Sequence, residues 1–244
     1  MRQVINNLKY KLQKANKMDS KDHEVSRVYR TKAQAKKAYD RISRFYDYFA
    51  GVFEKKYRNR ALELLGIKKG EIVLEIGFGT GHCLKKMAEL VGEEGKVYGI
   101  DISSGMLEVS KKRLEKAGLL DRVELYCGDA SKLPYEDNKF DAVFMSFTLE
   151  LFDTPEIPKV LNEIKRVLKP GGRLGIVSMS KEGGNVLLRL YEWLHEKLPQ
   201  YVDCRPIYVE QSIRESGFEI KYKEEVKLFG LPGEIVIAVK LPKP

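Results

Sequence analysis

Short apolar runs alternate with segments of helical periodicity along most of the chain. The runs cover residues 72–76, 97–100, 123–127, 140–146 and 173–178. Runs of this length are typical of strands buried on both faces of a sheet. Between them apolar residues recur at helical spacing, as Leu84, Met87 and Ala88 do. Strands that alternate with helices predict a parallel sheet.

The last third of the chain departs from this alternation. Residues 218–226 and 234–240 are two strand-like runs with only a Gly-Leu-Pro-Gly loop between them, which predicts an antiparallel hairpin. Residues 169–172, Lys-Pro-Gly-Gly, are predicted to be a turn before the fifth strand. Residues 181–207 contain a strongly apolar helix with the only tryptophan. This insertion is predicted to lie over the carboxyl ends of the strands as a substrate cap, or only to cover the sheet.

A glycine loop follows the first predicted strand. Gly77, Gly79 and Gly81 come directly after residues 72–76, and a helical pattern begins at His82. Glycine has no Cβ, so the backbone can turn sharply here and lie close to a ligand. A strand, a glycine loop and a helix N-terminus together are typical of a nucleotide-type site.

Spacing and charge narrow the ligand of this loop. In a dinucleotide fingerprint the third glycine would fall at His82, and no Gly-Lys-Ser/Thr follows to cradle phosphates. Glu75, two residues before the first glycine, disfavours a pyrophosphate and favours an ammonium group. Asp101, twenty residues after Gly81, is placed for ribose hydroxyls. A ribose and an ammonium without phosphate describe S-adenosylmethionine better than NAD.

Three motifs in this order resemble those of the class I S-adenosylmethionine-dependent methyltransferases. They are the segment 75–81, Asp101 and the segment 128–130, Gly-Asp-Ala. The resemblance covers residues 39–240 and implies an α/β fold: a Rossmann-like, seven-stranded, mostly parallel sheet with a C-terminal antiparallel hairpin and helices on both faces. It also implies that the Asp129 carboxylate accepts a hydrogen bond from the adenine amino group. The cofactor residues expected on this basis are Glu75, Gly77, Gly79, Gly81, Asp101, Ile102, Met106, Asp129, Ala130 and Ser146.

Two of these roles have a plainer alternative. Ile102 and Met106 are expected to flank the adenine ring, although packing alone would also explain them. Ser146, at the end of the fourth strand, is expected to face the methionine part of the cofactor; Ser146 and the nearby Thr148 are equally compatible with capping roles.

The net charge of +9 is confined to the N-terminal part. Residues 1–44 carry 13 Lys and Arg against 4 Asp and Glu, whereas the remainder carries 31 of each sign. Residues 1–37 are therefore predicted to be a basic helical arm, and 38–244 the methyltransferase domain. Apolar positions within 1–17 share one helical face, so the arm can lie on an anionic bilayer, bind RNA, or pack on its own body or on a second subunit.

Methyl transfer from a sulfonium needs no covalent enzyme nucleophile, and it needs a base only if the acceptor must lose a proton. The candidate bases are Tyr39, Tyr46, His195 and Asp203; His195 has a core role as its alternative. Tyr39 and Tyr46 each precede an Asp and stand seven residues apart, as in a helical lid resembling that of lipid- and quinone-modifying methyltransferases. Their rings would attract a sulfonium, although amphipathic packing also explains them.

Within the superfamily the chain most resembles the ubiquinone/menaquinone C-methyltransferases and phospholipid N-methyltransferases. Residues 133–135, Leu-Pro-Tyr, and 166–172 carry this resemblance. It departs from the quinone enzymes after residue 47, where they usually continue with Met-Asn and this chain has Tyr48-Phe49. A lipophilic small molecule or a lipid headgroup is the expected acceptor. The alternatives are an RNA methyltransferase that grips phosphates with the arm, and a non-catalytic methyltransferase-like binding protein.

The cellular setting follows from three negative features of the sequence. Cys83, Cys127 and Cys204 are widely spaced and predict neither disulfides nor a metal site. No run of eighteen apolar residues predicts a membrane span, and the N-terminus is too polar for a secretory signal. A cytoplasmic protein is expected, with the arm visiting the inner face of the membrane.

Overall fold

The computed structural model describes residues 25, 27–28, 30–43, 51–183, 186–197, 204–228 and 230–242, apart from the side chains of 51–53 and 196. The helices of this part are α1 Lys32–Ile42, α2 Gly51–Leu65, α3 His82–Val91, α4 Ser104–Ala117, α5 Ile157–Val167, α6 Val186–Lys197 and α7 Val209–Glu215. The strands are β1 Ile72–Ile76, β2 Lys96–Asp101, β3 Val123–Cys127, β4 Phe140–Ser146, β5 Leu168–Met179, β6 Phe218–Leu228 and β7 Leu231–Lys240.

The strands form one sheet in the order β3-β2-β1-β4-β5-β7-β6. The five strands β1 to β5 are parallel, and β7 is antiparallel to both β5 and β6. The predicted seven-stranded, mostly parallel sheet with its C-terminal hairpin is therefore confirmed. Strand β1 pairs with β2 on one side and β4 on the other, so the loops after β1 and β4 leave a crevice at the carboxyl edge.

Neighbouring residues of β1 explain why both faces of the sheet are covered. Val73 and Leu74 are both fully buried but belong to separate apolar clusters, because successive strand residues point to opposite faces. Helices α2, α3 and α4 contribute to the Val73 cluster, and α5 and α7 to the Leu74 cluster. Each such aliphatic side chain stabilises the fold by about 1.5–3 kcal/mol on burial. The crevice thus stands on a rigid, two-faced core.

Three local predictions need correction. Residues 169–172 are not a turn between elements but part of β5, where they form a bulge between Leu168 and Arg173 and Gly171 has φ +76°. The loop between β6 and β7 is shorter than predicted, since Leu228 pairs directly with Leu231. Helix α7 was not predicted, because its seven residues are too few to show a helical period.

Helix α1 crosses the boundary that the sequence places between residues 37 and 38. It begins at a capping box, in which the Thr31 hydroxyl accepts from the Gln34 amide and the Gln34 side chain accepts from the Thr31 amide. Asp40 then fastens it to α4 by accepting from the Ser103 hydroxyl at 2.6 Å and the Gly105 amide at 2.8 Å. Part of the basic arm therefore packs on the body, while residues 1–24 lie outside the described ranges and their amphipathic helix stays a prediction.

None of the helices in the described ranges has both the length and the apolar content needed to cross a membrane.

Candidate functional site

The glycine loop after β1 is folded tightly against its neighbours. Gly77, Gly79 and Gly81 all have positive φ, at +70°, +53° and +80°. A Cβ at Gly77 would lie 2.4 Å from the Thr148 side chain, and one at Gly81 would lie 2.8 Å from the Ser110 hydroxyl. These two positions require glycine for both backbone and space. Gly79 has no atom within 4 Å of its virtual Cβ, so at that point the loop borders open space.

The carboxylate of Asp101 joins the ends of two strands. One oxygen accepts from the Gly79 amide and the other from the Ser103 amide, each at 2.9 Å. Asp101 is only 9% exposed, and its burial raises the pKa despite these two hydrogen bonds. The glycine loop is thus held by the acid that the sequence assigns to ribose recognition.

Two cavities meet at this loop, and both are lined by Gly77, Asp101 and Thr148. The first extends over the ends of β1, β2 and β3. The second extends towards α2. Together they place a crevice at the topological switch point, where ligands of such sheets bind.

The first cavity contains the predicted adenine side of the site. Asp129, Ala130 and Ile102 line it beside Asp101. The Asp129 carboxylate accepts from the Ser131 amide at 2.9 Å and from the Ser131 hydroxyl at 2.8 Å. Gly77, Asp101 and Asp129, one from each of the three predicted motifs, are therefore brought to one cavity.

Lys32 of α1 also lines the first cavity. The sequence does not predict this position. Its ammonium lies 2.6 Å from Asp129 and 2.6 Å from Glu156. Burial alone would raise the pKa of Asp129, but the hydrogen bonds from Lys32 and Ser131 outweigh it and hold the pKa below its usual value. The acid assigned to the adenine amino group is thus ionised and already shared with a lysine.

The described residues between 25 and 42, here called the N-terminal strap, close the side of this cavity. Arg27 binds Asp153 through two nitrogens at 2.7 and 2.6 Å, and the Val28 amide donates to the same carboxylate at 3.0 Å. The Arg27 guanidinium holds the pKa of Asp153 at about 2. Val28, Arg30 and Lys32 line the cavity, so the arm contributes wall as well as charge.

The second cavity contains two buried polar atoms without a hydrogen-bond partner in the described structure. One is a carboxylate oxygen of Glu75, which is 2% exposed, and the other is the hydroxyl of Ser146. Burial raises the pKa of Glu75 well above its usual value, and the nearby Arg58 opposes the shift. Unpartnered buried groups of this kind are costly, so their presence points to a polar ligand that satisfies them.

The other predicted site residues do not all line the same cavity. Tyr39 and Met106 line the second cavity, whereas Ile102 lines the first, so Ile102 and Met106 do not share one cavity as a flanking pair. The Arg30 guanidinium lies 5.4 Å from the centre of the Tyr39 ring. His195 is 4% exposed on α6 and does not line either of the two described cavities.

The remaining candidates cannot be assigned a place in this site. Tyr46 and Asp203 lie outside the described residues and stay predictions. Within the described ranges no group of three or more His, Cys, Asp or Glu side chains is arranged to hold a metal ion.

Comparison with known proteins agrees with this geometry. The family described as "Methyltransferase domain" matches residues 73–172. The ubiquinone/menaquinone biosynthesis C-methyltransferase UbiE of Ectopseudomonas mendocina is 38% identical over 146 residues, which are 60% of this chain and 56% of that protein. Demethylmenaquinone methyltransferase of Staphylococcus aureus is 37% identical over 217 residues, covering 86% of this chain and 88% of that protein. A crystal structure of a SAM-dependent methyltransferase from Aquifex aeolicus, 28% identical, gives a TM-score of 0.58 over 75% of this chain and 89% of that chain.

Sheet, glycine loop and relatives together define the class: the chain belongs to the class I S-adenosylmethionine-dependent methyltransferases. Within that class it lies near the UbiE and demethylmenaquinone methyltransferase group. The resemblance drawn from the sequence is confirmed at this level, and with it the cofactor of the class. The chain spans only 56% of the length of the UbiE relative, so the relatives' substrates do not pass to it directly.

The residues of the two cavities fit S-adenosylmethionine. The orphaned oxygen of Glu75 suits an ammonium, and Asp101 and Asp129 offer acceptors on the nucleoside side. The open space at Gly79 leaves room for a ligand against the loop backbone.

Proposed function

We propose that the protein transfers the methyl group of S-adenosylmethionine to a lipophilic acceptor of the quinone type. The observation that carries the cofactor half is the carboxylate oxygen of the 2% exposed Glu75 that has no hydrogen-bond partner beside the glycine loop. Support for the acceptor half comes from relatives whose names specify ubiquinone, menaquinone and demethylmenaquinone.

Each cofactor residue has a distinct binding role in this proposal. Glu75 and Ser146 bind the amino-acid end of the cofactor in the second cavity. Asp101 accepts from the ribose hydroxyls, and Asp129 accepts from the adenine amino group while Lys32 keeps it ionised. When bound, S-adenosylmethionine supplies an electrophilic methyl group on a good leaving group. The protein's own contribution is alignment and exclusion of water, and alignment supplies roughly 7–11 kcal/mol of such barriers.

Tyr39 is the proposed group for moving a proton from the acceptor. Its place in the lining of the second cavity, together with Glu75, supports this role over that of the buried His195.

The acceptor is identified by incubating the full chain with methyl-labelled S-adenosylmethionine and three bacterial fractions: lipid, RNA and protein. The lipid comes from a strain unable to methylate its quinones. We expect label in the lipid fraction, co-migrating with quinones. Glu75→Gln, which keeps the size of the side chain but removes its charge, should lose incorporation through weaker cofactor binding. Label in phospholipid headgroups would show that the activity is N-methylation of a lipid instead of C-methylation of a quinone.

Label confined to RNA would overturn the proposal. The ion pairs of the strap argue against that outcome, because Arg27 and Lys32 are already paired with acids of the body.

A further inference from the structure

Helix α6 packs on the body through a side that combines polar groups with the buried Leu188. Lys181, itself buried, forms an ion pair with Glu192 at 3.0 Å, and the Tyr191 hydroxyl donates to the Cys204 carbonyl at 3.0 Å. His195 is 4% exposed on the same side. The helix is thus attached to the body by polar contacts as well as by the buried Leu188.

The opposite side of α6 is apolar and exposed. Val186, Leu187, Leu190 and Trp193 are 82%, 44%, 52% and 53% exposed, and their spacing places them along one side of the helix. These four residues are here called the outer face of α6. They make up half of the large hydrophobic side chains that are exposed in the described part of the chain. A surface helix ordinarily turns such a stripe towards the core, so an exposed one marks a contact surface.

The charges beside the outer face favour an anionic lipid surface as its partner. Arg189 and Lys197 are exposed on α6, while the acid Glu192 is turned inward to Lys181. A helix with Trp and Leu on one face and Lys or Arg beside it is typical of segments that lie in the bilayer interface.

The position of α6 relates this surface to the site. The segment that carries α6 leaves the carboxyl end of β5 and returns to it, since Ser180 and Ile207 form a parallel bridge. The two cavities open at the carboxyl ends of the neighbouring strands. A surface bound through α6 therefore meets the same edge of the sheet as a lipophilic substrate would.

We propose that the outer face of α6 docks the protein on an anionic lipid bilayer. This surface differs from the basic arm of residues 1–37, to which the sequence assigned the membrane contact. The docking does not depend on methyl transfer, so it can be measured without substrate or cofactor.

Trp193 is the only tryptophan of the chain and reports on the outer face without labelling. The full-length protein is mixed with vesicles of phosphatidylglycerol and phosphatidylcholine, and with vesicles of phosphatidylcholine alone. With the anionic vesicles we expect a blue-shifted Trp193 emission, protection from acrylamide, and quenching by brominated acyl chains. An unchanged emission spectrum at saturating anionic vesicles would overturn the proposal.

Matched variants separate α6 from other apolar surface. Leu190→Glu places a carboxylate on the outer face, and Leu241→Glu does so at a residue of equal exposure, 51%, outside α6. We expect Leu190→Glu to weaken co-sedimentation by roughly tenfold or more, and Leu241→Glu to leave it unchanged. Both variants should unfold at the wild-type temperature, because both side chains face solvent. Equal vesicle binding by wild type and Leu190→Glu would refute a role for the outer face.

Two further outcomes count against the inference. Replacing Lys9, Lys11, Lys14 and Lys17 by Gln in the full chain tests the arm; if this change abolishes binding while Leu190→Glu does not, the arm is the anchor. A lipid-free dimer that Leu190→Glu dissociates would assign the outer face to a second copy of the chain. Methyl transfer to a detergent-dispersed acceptor should be retained by Leu190→Glu, so loss of docking is distinguishable from failure of the proposed function.

Discussion

The floor of the site and its cover are held by different kinds of interaction. The floor consists of the glycine loop and Asp101, whose contacts are backbone amides within hydrogen-bond distance of a buried carboxylate. The cover is the N-terminal strap, which is attached by Lys32 and Arg27 to acids 97 and 126 residues further along the chain. Exposed ion pairs of this kind contribute about 0–1 kcal/mol each, whereas a misplaced buried atom costs several. Substitutions in the cover should therefore weaken cofactor binding less than substitutions in the floor.

The largest effect is expected from Gly77→Ala. The substitution forces an L-residue into φ +70° and places a methyl 2.4 Å from Thr148, so the loop must move. We expect affinity for S-adenosylmethionine to fall by roughly 100-fold or more, measured by calorimetry. Gly118→Ala is the control, because its φ is +65° but nothing lies within 4 Å of the added methyl. It should cost about 1 kcal/mol of stability and leave affinity intact. Wild-type affinity of Gly77→Ala would show that the glycine loop can move to accommodate the added methyl group.

A buried acid behind the floor should give the next largest effect, on stability. Glu150 is fully buried, accepts from the Met179 amide, and has its pKa raised by burial from 4.5 to about 7. The folded protein therefore holds a proton that the unfolded chain releases above pH 4.5. Folding stability should fall as the pH rises from about 4.5 to about 7, by on the order of 3 kcal/mol.

Glu150→Gln should remove the share of this slope that Glu150 contributes, because the amide has the same shape and does not ionise, whereas Glu75, whose pKa burial also raises, keeps its own share. Denaturant unfolding at pH 5 and pH 8 measures the change. Glu63→Gln, at a side chain that is 71% exposed, is the control and should keep the wild-type slope. If Glu150→Gln and wild type show the same pH dependence, the carboxyl is not buried in this way.

Asp101→Asn tests the floor through its electrostatics. The amide keeps an acceptor but loses the charge that faces the cavity, and one of its sides now repels a backbone amide. Hydrogen bonds to charged groups contribute about 1.5–3 kcal/mol, so we expect roughly 10- to 100-fold weaker cofactor binding. Asp141→Asn is the matched control, since Asp141 also accepts a backbone amide, that of Ile72, but stands at the opposite edge of the sheet. Equal affinity losses in both variants would indicate a general loss of stability.

The smallest effect is expected in the cover. Lys32→Met keeps the length of the side chain but removes its bonds to Asp129 and Glu156. Both the Lys32 and Asp129 side chains are more than a third exposed, so we expect affinity to fall by no more than about fivefold. Because salt screens such pairs, the gap between variant and wild type should narrow at high ionic strength. Tighter binding by Lys32→Met would show instead that Lys32 competes with the adenine for Asp129.

Sequence reasoning succeeds where the determining contacts are local. Gly77, Gly79 and Gly81 lie beside the strand they follow, and the distance from Gly81 to Asp101 is one βαβ unit, so spacing alone predicts their meeting. It fails for Lys32, because nothing near a lysine in the chain says which distant acid it will pair with. It also fails for 169–172, where a bulge in β5 accommodates glycines that read as a turn.

Helix α6 shows the same limit in another form. Its apolar content predicts a helix, and the helix is present, but the apolar content favours a core or a substrate cap. The inward side buries Leu188 and also contacts Lys181 and Cys204, which lie outside the helix and bind its polar groups. Periodicity identifies the stripe and leaves its partner undetermined.

The first turn of α1 both starts the helix and forms part of the cavity wall. Thr31 initiates the helix and Lys32, the next residue, forms part of the cavity wall and holds Asp129. Fraying of that turn would therefore open the first cavity and at the same time release Asp129 from Lys32. The local stability of the eleven residues of α1 therefore affects the shape of the binding pocket. A substitution that destabilises this helix should weaken cofactor binding even if the substituted residue does not contact the cofactor.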